Sequence, residues 1–406
     1  MPAKSQTSHG QKPISVLIVD DSQVFRKELK TIFEQSNTVE VIGEALNGIE
    51  ALDKMLKSNP DVIIMDMEMP LMDGVTSLQH LMIHKPTPTI MFSSLTSEGT
   101  ARSFDALKYG AVDFVSKDSF FQRQDLKSFQ KDIIHRVIYA SKVTMRPVEP
   151  VSTAHSDFLS LPINPSDIIF CEECGAKNVI DAEQRRELEE LRCQECGDLL
   201  HISLINKHKK INFITVIGAG LGGYSNLLRI IPKISSDIVG TIVVIIYAER
   251  SHVDAFTEYL DAVSTITVER LVDGMNLEGG RCYIASAQDN VYMKPYSAHY
   301  TIRKTKAIPG FGPLDLFMNS VTSVFKNRVA GIIMSGSNLD GVRGINAIKE
   351  QDGVSLVLNS GACLCKEMGE NVLRKCMVDI IIDEKDVTDI ITKMHESNSK
   401  EPLVIE

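Results

Sequence analysis

The sequence of 406 residues predicts an α/β protein in which two doubly wound parallel-sheet domains are separated by a small insert. Two long stretches alternate strand-length apolar runs with helical periodicity, which is typical of βαβ units. Between them lie two pairs of cysteines, each pair with two residues between its members, in a region without that alternation. At about 150 residues per domain, the length also favours two or three domains.

The composition is that of a mildly acidic globular protein. Hydrophobic residues make up 43% of the chain, charged residues 24%, and the formal net charge is −10. This charge argues against nucleic acid as a partner. The longest apolar runs, such as TIVVIIYA from Thr241, are far shorter than the roughly 20 residues of a membrane-spanning helix. We therefore predict a cytoplasmic protein with reduced cysteines and no membrane insertion.

The first domain is predicted over residues 14–120, after a polar leader at 1–13 that we expect to be disordered. Five apolar runs are its candidate strands, and helical patterns separate the early ones. A continuous apolar strand of this kind is buried on both faces of a parallel sheet. The candidate strands are SVLIV, VEVIGEA, DVIIMD, TIMFSS and AVDFVSK.

Three carboxylates follow the strands of this domain. Asp20 and Asp21 close the first strand, and Asp66 closes the third. In a doubly wound sheet, chemistry collects at the carboxyl ends of the strands, so these side chains should converge. Closely packed carboxylates repel one another unless a hard divalent cation such as Mg²⁺ bridges them. We therefore predict a magnesium site, with Asp66 as the acceptor of a phosphoryl group.

The segments VDDSQVFR and MDMEMPLMDG resemble motifs of the receiver domain of bacterial response regulators. Ser93 after the fourth strand and Lys117 after the fifth also match that family, and the resemblance covers roughly residues 14 to 120. It implies that a chemotaxis-type histidine kinase is the phosphoryl donor.

The same resemblance implies roles for the individual side chains. Asp66 is phosphorylated, and Mg²⁺ is held by Asp21, Asp66 and the main-chain carbonyl of Glu68, with Asp20 nearby. The remaining site residues that it implies are Ser93 and Lys117 on the phosphoryl oxygens and Phe114 as the aromatic switch.

The middle of the chain predicts a helix and linker over residues 121–167, followed by a zinc-ribbon-like insert over 168–205. Two thiolates three residues apart on a tight turn can face one ion, and two such turns complete a tetrahedron. A closed site of four cysteines predicts a structural Zn²⁺. A redox-active pair or four unligated thiols remain the alternatives. The four candidate ligands are Cys171, Cys174, Cys193 and Cys196.

The stretch VIGAGLGG opens the last domain, predicted over residues 211–392, and follows the strand NFITVI. Gly218, Gly220 and Gly223 satisfy the GxGxxG pattern of dinucleotide-binding loops, and Glu249 ends the next strand. Taken alone, the pattern is a weak signal, because the same spacing also arises in other turns between a strand and a helix.

Residues 211 to about 390 resemble the catalytic domain of CheB-type chemotaxis methylesterases, which hydrolyse methyl esters of receptor glutamates with a serine, a histidine and an aspartate. The carrying segments include VIGAGLGG, DGMNLEGGRCYIASAQDN and SGSNLDG. The family's serine falls on Gly220, and its histidine falls on Ala248, or on Tyr247 if the alignment slips by one residue. Only the aspartate survives, as Asp340.

The resemblance therefore implies a phosphorylation-controlled pseudoenzyme whose C-terminal domain binds methyl-accepting chemoreceptors or their signalling array. An active esterase with a relocated nucleophile is the first alternative, with Ser225, Ser251 and His252 as the neighbouring candidates. A nucleotide-sensing domain that uses residues 218–223 is the second. Residues 393–406 form a polar tail to which we assign no function.

The cysteine spacing generates a prediction about metal content. Purified protein should contain about one zinc per chain, because four thiolates complete one tetrahedral site. Elemental analysis after dialysis against a weak chelator measures this directly. A chain free of zinc would contradict the assignment, and the Cys193→Ser variant should lose most of the metal.

Overall fold

The computed structural model describes residues 12–93, 97–117, 126–145, 168–170, 177–179, 190–192, 194, 197, 199–201, 211–296 and 299–396. The chain divides into two units, residues 1–151 and 152–406. Both main sheets are entirely parallel, which confirms the predicted α/β class. No helix in these described ranges is long and apolar enough to cross a bilayer.

The first unit contains a five-stranded sheet in the order β2-β1-β3-β4-β5. The strands are β1 (Ile14–Val19), β2 (Val39–Ala45), β3 (Val62–Asp66), β4 (Thr89–Ser93) and β5 (Asp113–Ser116). The helices are α1 (Gln23–Glu34), α2 (Gly48–Ser58), α3 (Gly74–His84), α4 (Ser97–Lys108) and α5 (Leu126–Ala140).

Local sequence signals explain where these helices begin. Ser22 accepts a hydrogen bond from the third residue of α1, Asn47 does the same for α2, and Asp73 does so for α3. Each side chain satisfies an N–H group that has no partner inside the helix. The apolar residues of α1 recur at helical spacing, and Phe25, among others, is buried.

Within the first unit, a buried ion pair joins helix α5 to strand β5 of the sheet. Arg136 of α5 binds the carboxylate of Asp113, which opens β5, and its Nε lies 3.0 Å from Asp132. Burial raises the pKa of Asp113, although Arg136 opposes the shift. Removing either partner would leave a buried charge uncompensated. Helix α5, within the helix and linker region predicted over residues 121–167, therefore packs on the five-stranded sheet.

The insert region contains two short antiparallel hairpins. Their strands are β6 (Ile168–Phe170) with β7 (Lys177–Val179), and β8 (Glu190–Arg192) with β9 (Leu199–His201). One cysteine pair falls between β6 and β7, and the other falls between β8 and β9. The cysteines themselves lie outside the described residues, so the zinc site stays a prediction.

The second main sheet has seven strands in the order β12-β13-β11-β10-β16-β17-β18. These strands are β10 (Ile214–Ala219), β11 (Thr241–Ile246), β12 (Thr267–Arg270), β13 (Arg281–Ser286), β16 (Val329–Ile333), β17 (Val354–Leu358) and β18 (Ile380–Ile382). The hairpin is β14 (Val291–Tyr296) with β15 (His299–Lys304). The helices are α6 (Gly223–Ile230), α7 (Arg250–Val263), α8 (Pro313–Phe325), α9 (Val342–Glu350), α10 (Glu367–Lys375) and α11 (Val387–Glu396).

The central strands of this sheet are buried on both faces, as the continuous apolar runs of β10, β11 and β16 require. The strand order reverses at β10, which lies between β11 and β16. In a sheet of this kind, the crevice at the carboxyl ends of such neighbouring strands is the usual place for a binding site. The loops after β10, β11 and β16 therefore hold the residues of interest.

Helix α11 closes the other end of the unit through a buried histidine. His395 is 3% exposed, its Nε2 lies 2.9 Å from the hydroxyl oxygen of Thr215, and its ring packs edge-on against Phe213. Burial lowers the pKa of His395 to about 3, so the ring is neutral. The backbone of Gly240 passes directly over this ring.

Gly240→Ala should destabilise the C-terminal unit by about 2–3 kcal/mol, because close packing leaves no room for a methyl group. The added Cβ would lie 2.1 Å from the carbonyl oxygen of Phe213 and 2.3 Å from Nδ1 of His395. Denaturant unfolding followed by amide exchange in β10 measures the loss. The matched control is Gly361→Ala, whose nearest contact would be at 3.6 Å; equal stabilities for the two variants would contradict this account.

Candidate functional site

The first candidate site is an acidic pocket at the carboxyl edge of the five-stranded sheet. Asp20 follows β1, and Asp66 ends the neighbouring strand β3. One carboxylate oxygen from each of Asp20, Asp21 and Asp66 lies within 4.8 Å of the others. Asp20 and Asp66 are buried, whereas Asp21 is exposed. Over the described ranges, this is the one group of three or more such side chains placed to hold a metal ion.

Lys117 brings a positive charge into this pocket. Its Nζ lies 2.8 Å from Asp20 Oδ2 and 2.7 Å from Asp66 Oδ2. Burial raises the pKa of Asp66 to about 6, although the hydrogen bond from Lys117 opposes the shift. For Lys117, burial acts to lower the pKa, but the two aspartates outweigh it and raise the value. One lysine does not neutralise three carboxylates, so the pocket fits a hard divalent cation with oxygen ligands.

The other predicted residues lie on the same strands. The backbone N–H of Glu68 donates to the Asp66 carboxylate. Ser93 ends β4 and is buried next to the end of β5. Phe114 lies two residues before the end of β5, and its ring packs edge-on against Phe104 at 5.4 Å. The structure therefore gathers the acids, Ser93 and Lys117 at one edge, with Phe114 packed inside.

The second candidate site lies at the carboxyl edge of the seven-stranded sheet, where β10 passes into α6. Gly222 precedes α6 with φ of +81°, a conformation that L side chains rarely adopt. A Cβ at Gly218 would lie 2.2 Å from the side chain of Leu314, and one at Gly223 would lie 2.7 Å from Ala219. Packing therefore accounts for glycine at 218 and 223 without any bound nucleotide.

Gly220 is enclosed less tightly than Gly218 and Gly223. Its N–H donates to the carbonyl of Ser335 at 2.7 Å. A Cβ would lie 3.0 Å from Cα of Gly336 and 3.4 Å from Nδ2 of Asn338, so a side chain here requires these neighbours to shift by a few tenths of an ångström. A serine at this turn would therefore need its neighbours to move.

The end of β11 places Tyr247 towards the site and leaves Ala248 without a functional group. The phenol of Tyr247 donates a hydrogen bond to Oδ2 of Asp340. Burial and the neighbouring Asp340 carboxylate raise the pKa of Tyr247, so its hydroxyl keeps the proton. The carbonyl of Ala248 accepts from the hydroxyl of Ser286 at 2.7 Å. The structure therefore brings position 247, and not position 248, to the aspartate.

Asp340 accepts three further hydrogen bonds from backbone N–H groups. Its Oδ2 accepts from Leu314 at 2.9 Å, and its Oδ1 accepts from Asp315 at 3.2 Å and from Gly341 at 2.8 Å. Together with Tyr247, these donors engage both oxygens of the carboxylate. Asp340 thus acts as an acceptor for the first turn of α8 and for the start of α9.

Asp315 makes the reciprocal contact. It lies in the first turn of α8, and its Oδ1 accepts from the N–H of Gly344 in the first turn of α9 at 2.7 Å. Asp315 of α8 therefore binds the first turn of α9, and Asp340, in the loop just before α9, binds the first turn of α8. Burial raises the pKa of Asp315, and the charge of Asp340 and a hydrogen bond between the two side chains act in the same direction. Asp315 consequently holds its proton more tightly than an ordinary carboxyl group.

The candidates for a relocated nucleophile or base lie on neighbouring helices. Ser225 is buried in α6, and Ser251 and His252 lie in the first turn of α7, after Glu249 at its N-cap. The described hydrogen bonds to Asp340 come from Tyr247 and from backbone groups, and not from these side chains. The described residues therefore show no serine and histidine aligned on Asp340.

Sequence reasoning missed the pairing of Tyr247 with Asp340 and the whole role of Asp315. Tyr247 did carry a signal, since a polar aromatic residue ends the apolar strand TIVVII. Asp315 carried a weaker one, because an acid two residues after Pro313 is typical of a first helical turn. Neither signal reveals that the two helix starts share their caps.

Comparisons with known proteins match both units. The family described as CheB methylesterase matches residues 215–391, and the response regulator receiver domain matches residues 16–129. A Pyrococcus horikoshii protein named protein-glutamate methylesterase/protein-glutamine glutaminase is 30% identical, over 95% of this chain and 94% of its own. An Oleidesulfovibrio alaskensis protein named protein-glutamate methylesterase/protein-glutamine glutaminase 1 is 28% identical, over 93% and 98%. The solved CheB methylesterase catalytic domain of Thermotoga maritima has a TM-score of 0.43 and 23% identity, over 46% of this chain and 99% of its own.

Asp315→Asn should flatten the pH dependence of stability in the C-terminal unit. Because the pKa of Asp315 is raised on folding, the folded state binds the proton more tightly, and stability falls as pH rises from the ordinary value near 3.8 to the folded value. One such proton contributes a slope of at most roughly 1.4 kcal/mol per pH unit. An asparagine can donate to Asp340 at every pH, so this contribution should vanish.

Unfolding followed by amide exchange in β16 across that pH range measures the slope. Asp379→Asn is the matched control, because burial acts to raise the pKa of Asp379 but hydrogen bonds from Lys349 and Ser355 lower it. Its removal should therefore change the slope only below pH 3.8, with the opposite sign, and leave the wild-type slope in the range where Asp315 acts. An Asp315→Asn variant with the full wild-type slope would show that the two acids do not share a proton.

Proposed function

Given that this chain belongs to the CheB family, with a response regulator receiver domain and a methylesterase domain in one polypeptide, we propose that it is a phosphorylation-controlled signalling protein whose C-terminal domain binds its target without hydrolysing it. The observation that carries this proposal is the set of hydrogen bonds that the Asp340 carboxylate accepts. This carboxylate is engaged by Tyr247 and three backbone donors, and Gly220, on which the family's serine falls, has no hydroxyl.

In the receiver domain, Asp66 is the residue that we propose accepts the phosphoryl group. Its carboxylate attacks phosphorus as the bond to the donor's nitrogen breaks. Lys117 already lies 2.7 Å from this carboxylate and would hold a phosphoryl oxygen by charge. Ser93 follows β4 beside it and would contact another oxygen.

The receiver family binds Mg²⁺, and the acidic pocket fits this ion. Asp21, Asp66 and the main-chain carbonyl of Glu68 are the proposed ligands, with Asp20 held nearby by Lys117. A bound divalent cation would offset the negative charge that builds up as the phosphoryl group approaches three carboxylates. The chain's own contribution is to hold these oxygens within 4.8 Å of one another on the ends of two buried strands.

In the C-terminal domain, ester hydrolysis by the family's triad needs a nucleophile, a base and a group that orients the base. Gly220 cannot form an acyl intermediate, and Ala248 cannot shuttle a proton. Tyr247 cannot replace the base, because its raised pKa keeps the phenol protonated and its hydrogen bond is already given to Asp340. The remaining residue, Asp340, orients backbone N–H groups and not a histidine.

The names of the relatives favour a second candidate function, in which this chain too is an active hydrolase. That function would require a hydroxyl from elsewhere, with Ser225 or Ser251 as the nearest in sequence and His252 as the base. A triad needs placement to within about an ångström. A serine labelled by an ester-directed reagent would support this active hydrolase. The other alternative, a nucleotide-sensing domain at residues 218–223, would be supported by a rise in melting temperature on addition of a dinucleotide.

The target that we propose is a glutamate-bearing helix of a methyl-accepting chemoreceptor, or the signalling array around it. The relatives' names specify protein glutamate and glutamine as their substrates. A domain that keeps the fold around Asp340 but lacks the serine can keep a surface for such side chains.

The phosphoryl donor would be a chemotaxis histidine kinase. A structural Zn²⁺ on Cys171, Cys174, Cys193 and Cys196 completes the proposal, supported by the two hairpins whose strands flank the cysteine pairs.

Phosphorylation of Asp66 should change how strongly the chain binds chemoreceptor membranes, because the receiver is proposed to control the C-terminal domain. Sedimentation with chemoreceptor membranes that carry both methylated and unmethylated glutamates, with and without a phosphoryl analogue, measures this binding. We expect a change of about threefold to tenfold in affinity, corresponding to roughly 1 kcal/mol of coupling.

Asp66→Asn is the matched control and should bind alike with and without the analogue. A wild-type chain that binds membranes equally in both states would contradict control by the receiver. A wild-type chain that binds in neither state would contradict the proposed target.

A further inference from the structure

The loops around Asp340 expose apolar side chains. Leu339, next to Asp340 in the chain, is 65% exposed, and Phe311 and Ile308 of the loop before α8 are 39% and 41% exposed. Gly312, which follows Phe311, lies so close to Asp340 that a Cβ there would be 2.0 Å from the carboxylate. These three apolar side chains therefore lie on the loops that surround the second candidate site. We call them, together with Arg343, the cleft rim.

Arg343 is held in place on this rim by stacking. It is the second residue of α9, and its guanidinium lies 4.6 Å from the centre of the Phe311 ring. Gly310, with φ of +79°, turns the loop so that its backbone passes beside the guanidinium, where a Cβ would lie 3.6 Å from Nη1. A planar guanidinium stacked on an aromatic face keeps its N–H edge available for a carboxylate.

The charge of Arg343 is not neutralised within the described part of the chain, where no carboxylate lies within 4.0 Å of it. The other arginines at this edge of the sheet behave differently. Arg250 and Arg270 both bind the buried carboxylate of Asp289, at 2.8 and 2.6 Å. Those two are structural, whereas Arg343 presents its charge to solvent beside exposed apolar groups.

We propose that Arg343 receives a carboxylate of the polypeptide that docks on the cleft rim, and so makes this domain select glutamate over its methyl ester or amide. This rests on the proposed function, since it assumes that the C-terminal domain binds a glutamate-bearing helix. Exposed leucine and phenylalanine next to an arginine are typical of a protein-binding surface. The charge of Arg343 complements a free carboxylate and gains nothing from a neutral ester.

Binding of a carboxylate by Arg343 would give a role to a domain that does not hydrolyse the methyl ester. An active esterase converts the neutral ester into a carboxylate and must release the product. A domain without the nucleophile but with Arg343 beside the cleft would instead retain the carboxylate form. The chain would then report the demethylated state of its target, and phosphorylation at Asp66 would decide when it does so.

The test uses the full chain and three labelled helical peptides that differ at one central residue: glutamate, glutamine or glutamate methyl ester. Fluorescence anisotropy gives the Kd of each. We expect wild type to bind the glutamate peptide about three to ten times more tightly than the other two, in the range of a partly exposed charge-assisted contact. Arg343→Gln should remove this preference and leave the affinity for the neutral peptides unchanged.

Two further variants sharpen the test. Arg343→Lys keeps the charge but loses the planar fork and should retain only part of the preference. Lys233→Gln removes an exposed charge from the short 3-10 turn that follows α6 and should change nothing. Failure of wild type to bind any of the peptides would overturn the proposed function. Binding without a preference, or an equal loss for all three peptides in Arg343→Gln, would overturn this inference alone.

Discussion

The carboxylate of Asp340 is the contact on which the geometry of the C-terminal domain depends. It joins the end of β11, through Tyr247, to the first turn of α8 and the start of α9. Asp315 returns the contact from α8 to α9. A carboxylate with this many donors is a strong acceptor, and its removal would leave several buried N–H groups without partners. The loops that carry the cleft rim are fixed by the same helix starts.

The hydrogen bonds of Asp340 give this residue a structural role that does not depend on catalysis. An aspartate that caps two helices is needed for folding whether or not a histidine is present. Gly220 and Ala248 make no comparable set of contacts, since their described hydrogen bonds are made by the backbone. Asp340 therefore keeps its structural contacts although position 220 is a glycine and position 248 an alanine. The relatives' names record hydrolysis, and these local contacts explain how a member of the family could dispense with it.

Much of the fold and of the receiver site could be predicted from the sequence. Apolar runs buried on both faces predicted the parallel strands, and their carboxyl ends had to bring Asp20 and Asp66 together. The position that faces Asp340 could not be predicted, because a slip of one residue turns a strand side chain to the opposite face. Nor could the shared caps of α8 and α9, since they join residues 25 to 29 positions apart whose meeting depends on helix packing. The glycine pattern at 218–223 left a nucleotide-binding loop open as an alternative, because packing and phosphate binding both require small residues.

The most direct test of the account is methyl release from methylated chemoreceptor membranes by the wild-type chain, with the receiver carrying a phosphoryl analogue. A known active esterase of the same family serves as the positive control. The account predicts no release above background, since Asp340 is engaged by Tyr247 and no hydroxyl stands at residue 220. Release at a rate near that of the control would show that another serine and base complete the site, and that Asp340 still serves catalysis.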